Sequence, residues 1–175
     1  MKAQRAIRIC IAIAFMLICN YKSFSQFIFA EVGVDGLTCS QCSRSVEMSL
    51  MKLDFVINVK MDLESTVGKI IFKQGTEIDF NKIAKAIADA GFSIRFLKAV
   101  YSFNNEDGTV NVKLVNVNHP FYILKEDGKK LSDAKQLQFL GKEFMSNKEF
   151  GKWKKTIKEH FGDMKKDAYY ITIEN

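Results

Sequence analysis

The residues of this chain best suited to chemistry are two cysteines, Cys39 and Cys42, which lie between the turn residue Gly36 and a helix-like run over 43–53. A Cys-x-x-Cys pair at such a junction presents both sulfurs to one side, and the amino end of the helix favours their thiolate form. Thiolates bind soft metal ions and also carry out disulfide exchange. Cys42 precedes the apolar position Val46 by one turn, so we expect it to lean inward and Cys39 to be the more exposed thiol.

The neighbours of the two cysteines favour a soft metal ion over redox chemistry. A thiol–disulfide oxidoreductase remains the alternative, but Ser40-Gln41 replaces the Gly-Pro that such enzymes often place between their cysteines. No acidic residue flanks the pair, and the chain has two histidines, His119 and His160, which we expect to be ordinary surface or loop residues. Two thiolates suit copper(I), silver(I) or mercury(II), whereas zinc(II), which prefers four ligands, is less favoured.

Residues 1–25 have the pattern of a cleaved signal peptide. Three basic residues precede the apolar run Ile9–Ile18, and Ser23 and Ser25 supply small residues before a cut ahead of Gln26. The run is shorter than the roughly 20 residues that span a bilayer, so we expect no membrane span after removal of the signal. The sequence therefore predicts an exported, periplasmic protein.

Loss of this segment changes both the charge and the cysteine count. The whole chain carries a formal charge of +6, of which residues 1–25 contribute +4, so the remainder is near neutral at +2 and gives no argument for nucleic-acid binding. Cys10 and Cys19 leave with the signal, and Cys39 and Cys42 remain as one dedicated site. A lipid anchor at Cys19 is disfavoured, because the preceding Met16-Leu17-Ile18 lacks a small residue.

The apolar pattern of residues 27–98 predicts the element order β-α-β-β-α-β, the ferredoxin-like arrangement. Ile28, Ala30, Val32 and Val34 alternate along a first strand, and two further strand-like runs at 55–61 and 66–72 form a hairpin. Asp79 caps a second helix, which ends at Gly91, and a fourth strand covers 92–97. The two thiols fall at the first strand-to-helix connection.

At this connection the chain resembles the heavy-metal-associated domain family, which includes copper chaperones, metal-binding modules of copper-transporting ATPases and the periplasmic mercury-binding protein. The family hallmark is Gly-Met-Thr-Cys-x-x-Cys, and this chain has Gly36-Leu37-Thr38-Cys39-Ser40-Gln41-Cys42. The second helix of the family commonly ends in Ala-Gly-Tyr, and here it ends in Ala90-Gly91-Phe92. The resemblance implies that Leu37 packs inward and that Phe92 lies as an aromatic lid near the loop.

The resemblance also implies a function. Cys39 and Cys42 would hold one ion, and Thr38 before the first cysteine is similar to the copper branch, which favours copper(I). The predicted organisation is a signal peptide (1–25), a heavy-metal-associated domain (26–99) and an α+β extension (100–175). The predicted function is metal transfer to or from a partner protein, or metal sequestration. No pattern of catalytic residues is found, so we expect no enzyme.

Residues 100–175 match no family that we can name. The pattern predicts a hairpin over 100–114, a strand at 121–124, a helix from Ser132-Asp133 with Leu137, Leu140 and Phe144 on one face, a helix from Asn147, and a last strand at 168–173. This is either a small α+β unit or an extension whose strands join the first sheet. The lysines of the last helix are expected on a solvated face.

The methionines of the chain offer a second kind of soft ligand. Thioether sulfur binds soft ions, but methionines at scattered spacings more often fill gaps in a core. We therefore expect core filler at the positions concerned, which are Met48, Met51, Met61, Met145 and Met164.

Overall fold

The computed structural model describes residues 27–103, 119–124 and 133–174. The elements follow in chain order as β1 (Phe27–Asp35), α1 (Ser40–Met51), β2 (Val56–Asp62), β3 (Val67–Phe72), α2 (Phe80–Asp89), β4 (Ser93–Phe103), β5 (Phe121–Leu124), β6 (Asp133–Leu140), α3 (Asn147–Phe161) and β7 (Tyr169–Glu174). None of the helices in these ranges is long and apolar enough to cross a membrane.

The first four strands confirm the ferredoxin-like fold. They lie in the order β2-β3-β1-β4, and all three pairings are antiparallel. Along β1, Ala30, Val32 and Val34 are buried as predicted. Ile28, however, is 50% exposed, and Phe27 is buried instead, because the β1–β4 register shifts between Phe27 and Phe29. A bulge of this kind moves side chains to the other face of the sheet, and the alternating pattern does not reveal it.

The strands of the extension join the same sheet. The edge of β4 pairs with β6, and β7 and β5 follow, so that the described strands form one mixed sheet in the order β2-β3-β1-β4-β6-β7-β5. The β5–β7 pair is parallel. The hairpin predicted over 100–114 is described only to Phe103, at the end of β4, and the remainder lies outside the described residues.

The helix predicted from Ser132-Asp133 is wrong, because the segment Asp133–Leu140 is the strand β6. Leu137 and Leu140 have the spacing of a helix face, but Leu137 and Phe139 also alternate as in a strand, and both readings fit so short a run. Pairing with β4 decides between them, with Leu137 opposite Ala99.

Phe80, at the start of α2, joins the two halves of the chain. Its ring lies 5.0 Å from that of Phe27 in the first module, and it also contacts the rings of three extension residues, Phe121, Phe139 and Tyr169, at 6.4, 4.2 and 5.7 Å. Edge-on and tilted aromatic pairs at such distances add to the free energy gained by burying the rings. The extension is therefore packed into the core of the module.

The helix α3 covers the opposite face of the sheet. Phe139 and Ile171 pair across β6 and β7 and face the main core, whereas the next pair, Leu140 and Tyr170, belongs to a second cluster with Ile157 of α3. Neighbouring residues in a strand point to opposite faces, so α3 lies on the side away from α1 and α2.

Asp79 ties the start of α2 to the extension, which leads to a first prediction. Its carboxylate accepts hydrogen bonds from the backbone N–H groups of Asn81 and Lys82, at 2.9 and 3.2 Å, and from the hydroxyl of Tyr169 at 3.4 Å. Burial, and then the nearby charge of Asp79, raises the pKa of Tyr169, so the phenol stays protonated and donates.

We expect Asp79→Ala to lower the free energy of unfolding by about 1 kcal/mol, the usual cost of losing an N-cap, with a further loss from Tyr169. Asp79→Asn is the control, because asparagine caps helices about as well as aspartate. Urea-induced unfolding gives the free energy of unfolding of both variants. An equal decrease in Asp79→Ala and Asp79→Asn would contradict the assigned capping role.

Candidate metal-binding site

The thiol loop begins where β1 ends at Asp35. Gly36 has φ of +89°, in the left-handed region that glycine adopts without strain, and it turns the chain toward α1. A side chain at this position would meet the ring of Phe92 at 3.6 Å, so Phe92 lies against the loop as expected. Leu37 is half-buried and packs on the main core, which is the inward position predicted for it.

Cys39 is the N-cap residue of α1. Its Sγ accepts a hydrogen bond from the backbone N–H of Cys42 at 3.3 Å, and its carbonyl accepts one from the N–H of Ser43 at 3.2 Å. The first turn of the helix carries no acidic side chain, so the positive end of the helix dipole acts on the sulfurs without a competing negative charge.

The two sulfur atoms lie 2.6 Å apart, and both cysteines are free thiols. Cys39 is exposed and Cys42 is half-buried, as their positions in the sequence predict. The hydrogen bond from the Cys42 thiol, followed by those from the backbone of Cys42 and Gln41, lowers the pKa of Cys39 below its ordinary value. The thiolate form of Cys39 is therefore favoured. Their role as metal ligands stays a prediction.

Long-range contacts hold the loop in place. Arg95 of β4 lies with Nη1 at 3.4 Å from the carboxylate of Asp35 and 3.0 Å from the hydroxyl of Thr66, and it reaches the carbonyl of Ser65 at 3.0 Å. One guanidinium thus connects the end of β1, the β2–β3 turn and β4. No local motif marks Arg95 in the amino-acid sequence, because its partners lie 29 to 60 positions away.

The extension reaches the same end of the sheet as the thiols. The N–H of Ser146, the N-cap of α3, donates to the carbonyl of Arg95 at 3.2 Å, and Met145 forms a bridge with Phe96. A cavity of about 1040 Å³ lies between the two halves, lined by α2, by Asp35 and Phe92 beside the loop, and by the extension segments before and after α3.

Both histidines make contacts within the extension. The ring of His119 packs against Tyr169 at 5.3 Å, and Nδ1 of His160 is 2.9 Å from the carbonyl of Thr156 in its own helix. Across the described part of the chain, no group of three or more histidine, cysteine or acidic side chains is arranged to hold a metal ion.

The hydrogen bond between the thiols gives a second prediction. Replacing Cys42 with alanine removes the largest cause of the lowered pKa of Cys39, whereas serine keeps a donor at that position. We expect the pH midpoint for alkylation of Cys39 by iodoacetamide to rise in Cys42→Ala and to rise less in Cys42→Ser. Mass spectrometry of the Cys39 peptide against pH measures both midpoints, and a fall in Cys42→Ala would contradict the assignment.

The part of the chain that carries this site is similar to known proteins. Residues 31–93 match the family model described as Heavy-metal-associated domain. Copper-transporting ATPase 1 of Rhizobium meliloti (strain 1021) is 33% identical over 74 residues, which are 42% of this chain and 9% of the ATPase. Copper chaperone CopZ of Staphylococcus haemolyticus (strain JCSC1435) is 25% identical over 64 residues, 37% of this chain and 93% of the chaperone.

Among solved structures, oxidized MerP from Ralstonia metallidurans CH34 is 28% identical, with 39% of this chain and 96% of MerP aligned at a TM-score of 0.35. The chain spans only 7 to 9% of the length of the ATPases that it matches. The family match ends at residue 93, before most of β4.

Proposed function

We propose that this chain holds one copper(I) ion between Cys39 and Cys42, for transfer or sequestration, within the part of the chain that matches the heavy-metal-associated domain model, residues 31–93. The observation that carries the proposal is the placement of two free cysteines side by side at the start of α1, with Cys39 exposed and its pKa lowered. Two thiolates suit a soft ion that accepts few ligands. The names of the relatives, a copper chaperone and copper-transporting ATPases, support copper as the cargo.

Exposure of the first thiol supports exchange with a partner protein. Cys39 is open to solvent, so a thiolate of a donor or acceptor protein can reach an ion held there. The half-buried Cys42 keeps its contact with the body of the domain. We propose that the ion moves by successive replacement of one thiolate by another, which needs no change in its oxidation state.

The redox alternative would use the same dithiol, but it lacks a feature of thioredoxin-like enzymes. Such enzymes bring a cis-proline loop to their cysteines. Pro120 instead precedes β5, which β4, β6 and β7 separate from β1. No cis peptide bond occurs in the ranges that the structure describes. A binding function, rather than a catalytic one, is therefore proposed.

We propose further that the chain is exported to the periplasm after cleavage before Gln26. The support is the basic, apolar and small-residue pattern of residues 1–25. The test is the intact mass of the protein recovered from a periplasmic extract, compared with that of an Arg5→Glu/Arg8→Glu variant. A mass beginning at Gln26 is expected, with less of this product from the variant. Recovery of the uncleaved chain in the membrane fraction would contradict cleavage, and its recovery in the cytosolic fraction would contradict export.

Anaerobic titration with copper(I) tests the metal proposal. The protein is the reduced chain in which serine replaces Cys10 and Cys19, and a chromogenic chelator competes for the ion. One tightly bound equivalent per chain is expected. Parallel titrations with silver(I), mercury(II) and zinc(II) rank the ions, and a zinc(II) preference would overturn the choice of copper(I). No tight binding of any ion would leave the pair as a disulfide or redox site, and its reduction potential would then be measured.

A further inference from the structure

Two methionines on α1 lie where a core-filling role cannot explain them. Met48 is 54% exposed and Met51 is 43% exposed, whereas Met145 is 2% exposed and Met61 packs against the main core. The expectation of core filler is therefore wrong for these two residues, and also for Met164, which is 37% exposed but lies outside α1. Exposed methionines gain little from burial, so their side-chain chemistry is the feature to explain.

The helix brings the two side chains together. Met48 and Met51 are separated by three positions on α1, which places their Cβ atoms about 5–6 Å apart on one face. Methionine has three rotatable side-chain bonds, so two thioether sulfurs at this spacing can reach a common ion. Because long side chains on a helix lean toward its amino end, both point along the surface toward the end that carries the thiols.

Of the two cationic side chains one turn from Met48, Arg44 is compensated by a carboxylate, whereas Lys52 lies at the exposed end of the helix. Arg44 lies one turn before Met48, and its guanidinium is paired with the carboxylate of Glu47 at 3.0 Å. Thioether sulfur is neutral and carries no proton at any ordinary pH, so it needs no deprotonation to bind. It is also a soft ligand that prefers copper(I) and its analogue silver(I) over hard cations such as magnesium or calcium.

We propose that Met48 and Met51 form a second, weaker site for a soft monovalent metal ion on the exposed face of α1. The site lies about 9 Å along the helix from Cys42, given six residues at about 1.5 Å each. It holds an ion through two neutral sulfurs, so it binds less tightly than a thiolate pair and releases the ion readily. The inference rests on the exposure and spacing of the methionines and stands independently of copper binding by the cysteines.

The test uses the full chain with all four cysteines replaced by serine, so that thiols cannot contribute. Methionine methyl groups are labelled with carbon-13, and silver(I) nitrate is added in a chloride-free buffer. The methyl resonances of Met48 and Met51 should shift together and saturate at one equivalent of silver, while those of Met61 and Met145 stay in place. The proposal would be overturned if the shifts of Met48 and Met51 did not saturate, or if the Met164 methyl resonance shifted by the same amount.

Matched variants test the pair itself. Met48→Leu and Met51→Leu conserve volume and helix propensity, and each should weaken the apparent silver affinity by at least about tenfold, equivalent to ~1.4 kcal/mol. Met164→Leu, at a 37% exposed methionine outside α1, should leave the affinity unchanged. An unaltered Met145 methyl resonance verifies the fold of each variant. Undiminished affinity in the first two variants would overturn the proposal.

Discussion

Replacement of Cys42 by serine is expected to abolish tight copper(I) binding. A hydroxyl is a hard, neutral ligand at pH 7, so the substitution leaves one thiolate for a soft ion. Substituting a residue that only orients a metal ligand typically lowers metal affinity by about 10–100-fold. Because Cys42 is itself a proposed ligand, we expect its substitution to lower copper(I) affinity by more than about 100-fold. Competition with a chromogenic copper(I) chelator under anaerobic conditions measures this loss.

The same experiment with Cys39→Ser separates ligand chemistry from folding. Serine is among the best N-cap residues, so this substitution keeps the cap of α1 while it removes the sulfur. Circular dichroism should therefore match that of the parent chain, although the tight copper(I) equivalent is lost. Ser40→Ala, at an exposed position between the cysteines, is the matched control and should bind one equivalent. Retention of full stoichiometry by either cysteine variant would rule out the two-thiolate site.

Phe80→Ala is expected to cause the largest loss of stability among the substitutions considered. Phe80 is fully buried, and its ring contacts aromatic residues from both halves of the chain. Removing a buried phenylalanine side chain usually costs 3–5 kcal/mol through lost burial and the cavity that remains, so we expect a loss of about 4 kcal/mol. Guanidinium-induced unfolding, followed by far-ultraviolet circular dichroism and by Trp153 fluorescence, gives the free energy.

The two signals also report whether the halves unfold together. Trp153 lies on α3, and the circular dichroism covers all helices, so coincident transitions in the parent chain would indicate one cooperative unit. In Phe80→Ala we expect the fluorescence transition to move to lower denaturant than the circular dichroism transition. Phe80→Leu, which retains most of the apolar volume, is the control and should lose less stability. A loss below about 1 kcal/mol in Phe80→Ala would contradict a linking role.

The apolar pattern of residues 27–98 predicted most of the helices and strands there, because a strong local signal marks each of these elements. Asp79 is the observed N-cap of α2, and Gly91 follows the helix with φ of +89°. Such signals depend on the nearest few residues, where backbone hydrogen bonding and glycine conformation are decided. Ile28 was misplaced because a bulge depends on pairing with a distant strand.

The amino-acid sequence by itself determined the thiol pair, its position at the start of a helix and the order of the first six elements, since these follow from local spacing and capping. Only the tertiary structure decided that Asp133–Leu140 is a strand, that α3 lies on the opposite face of the sheet, and that Arg95 braces Asp35 beside the thiol loop. These features depend on strand pairing, burial and charge contacts between residues far apart in the chain, and no local pattern encodes the free energy of such contacts.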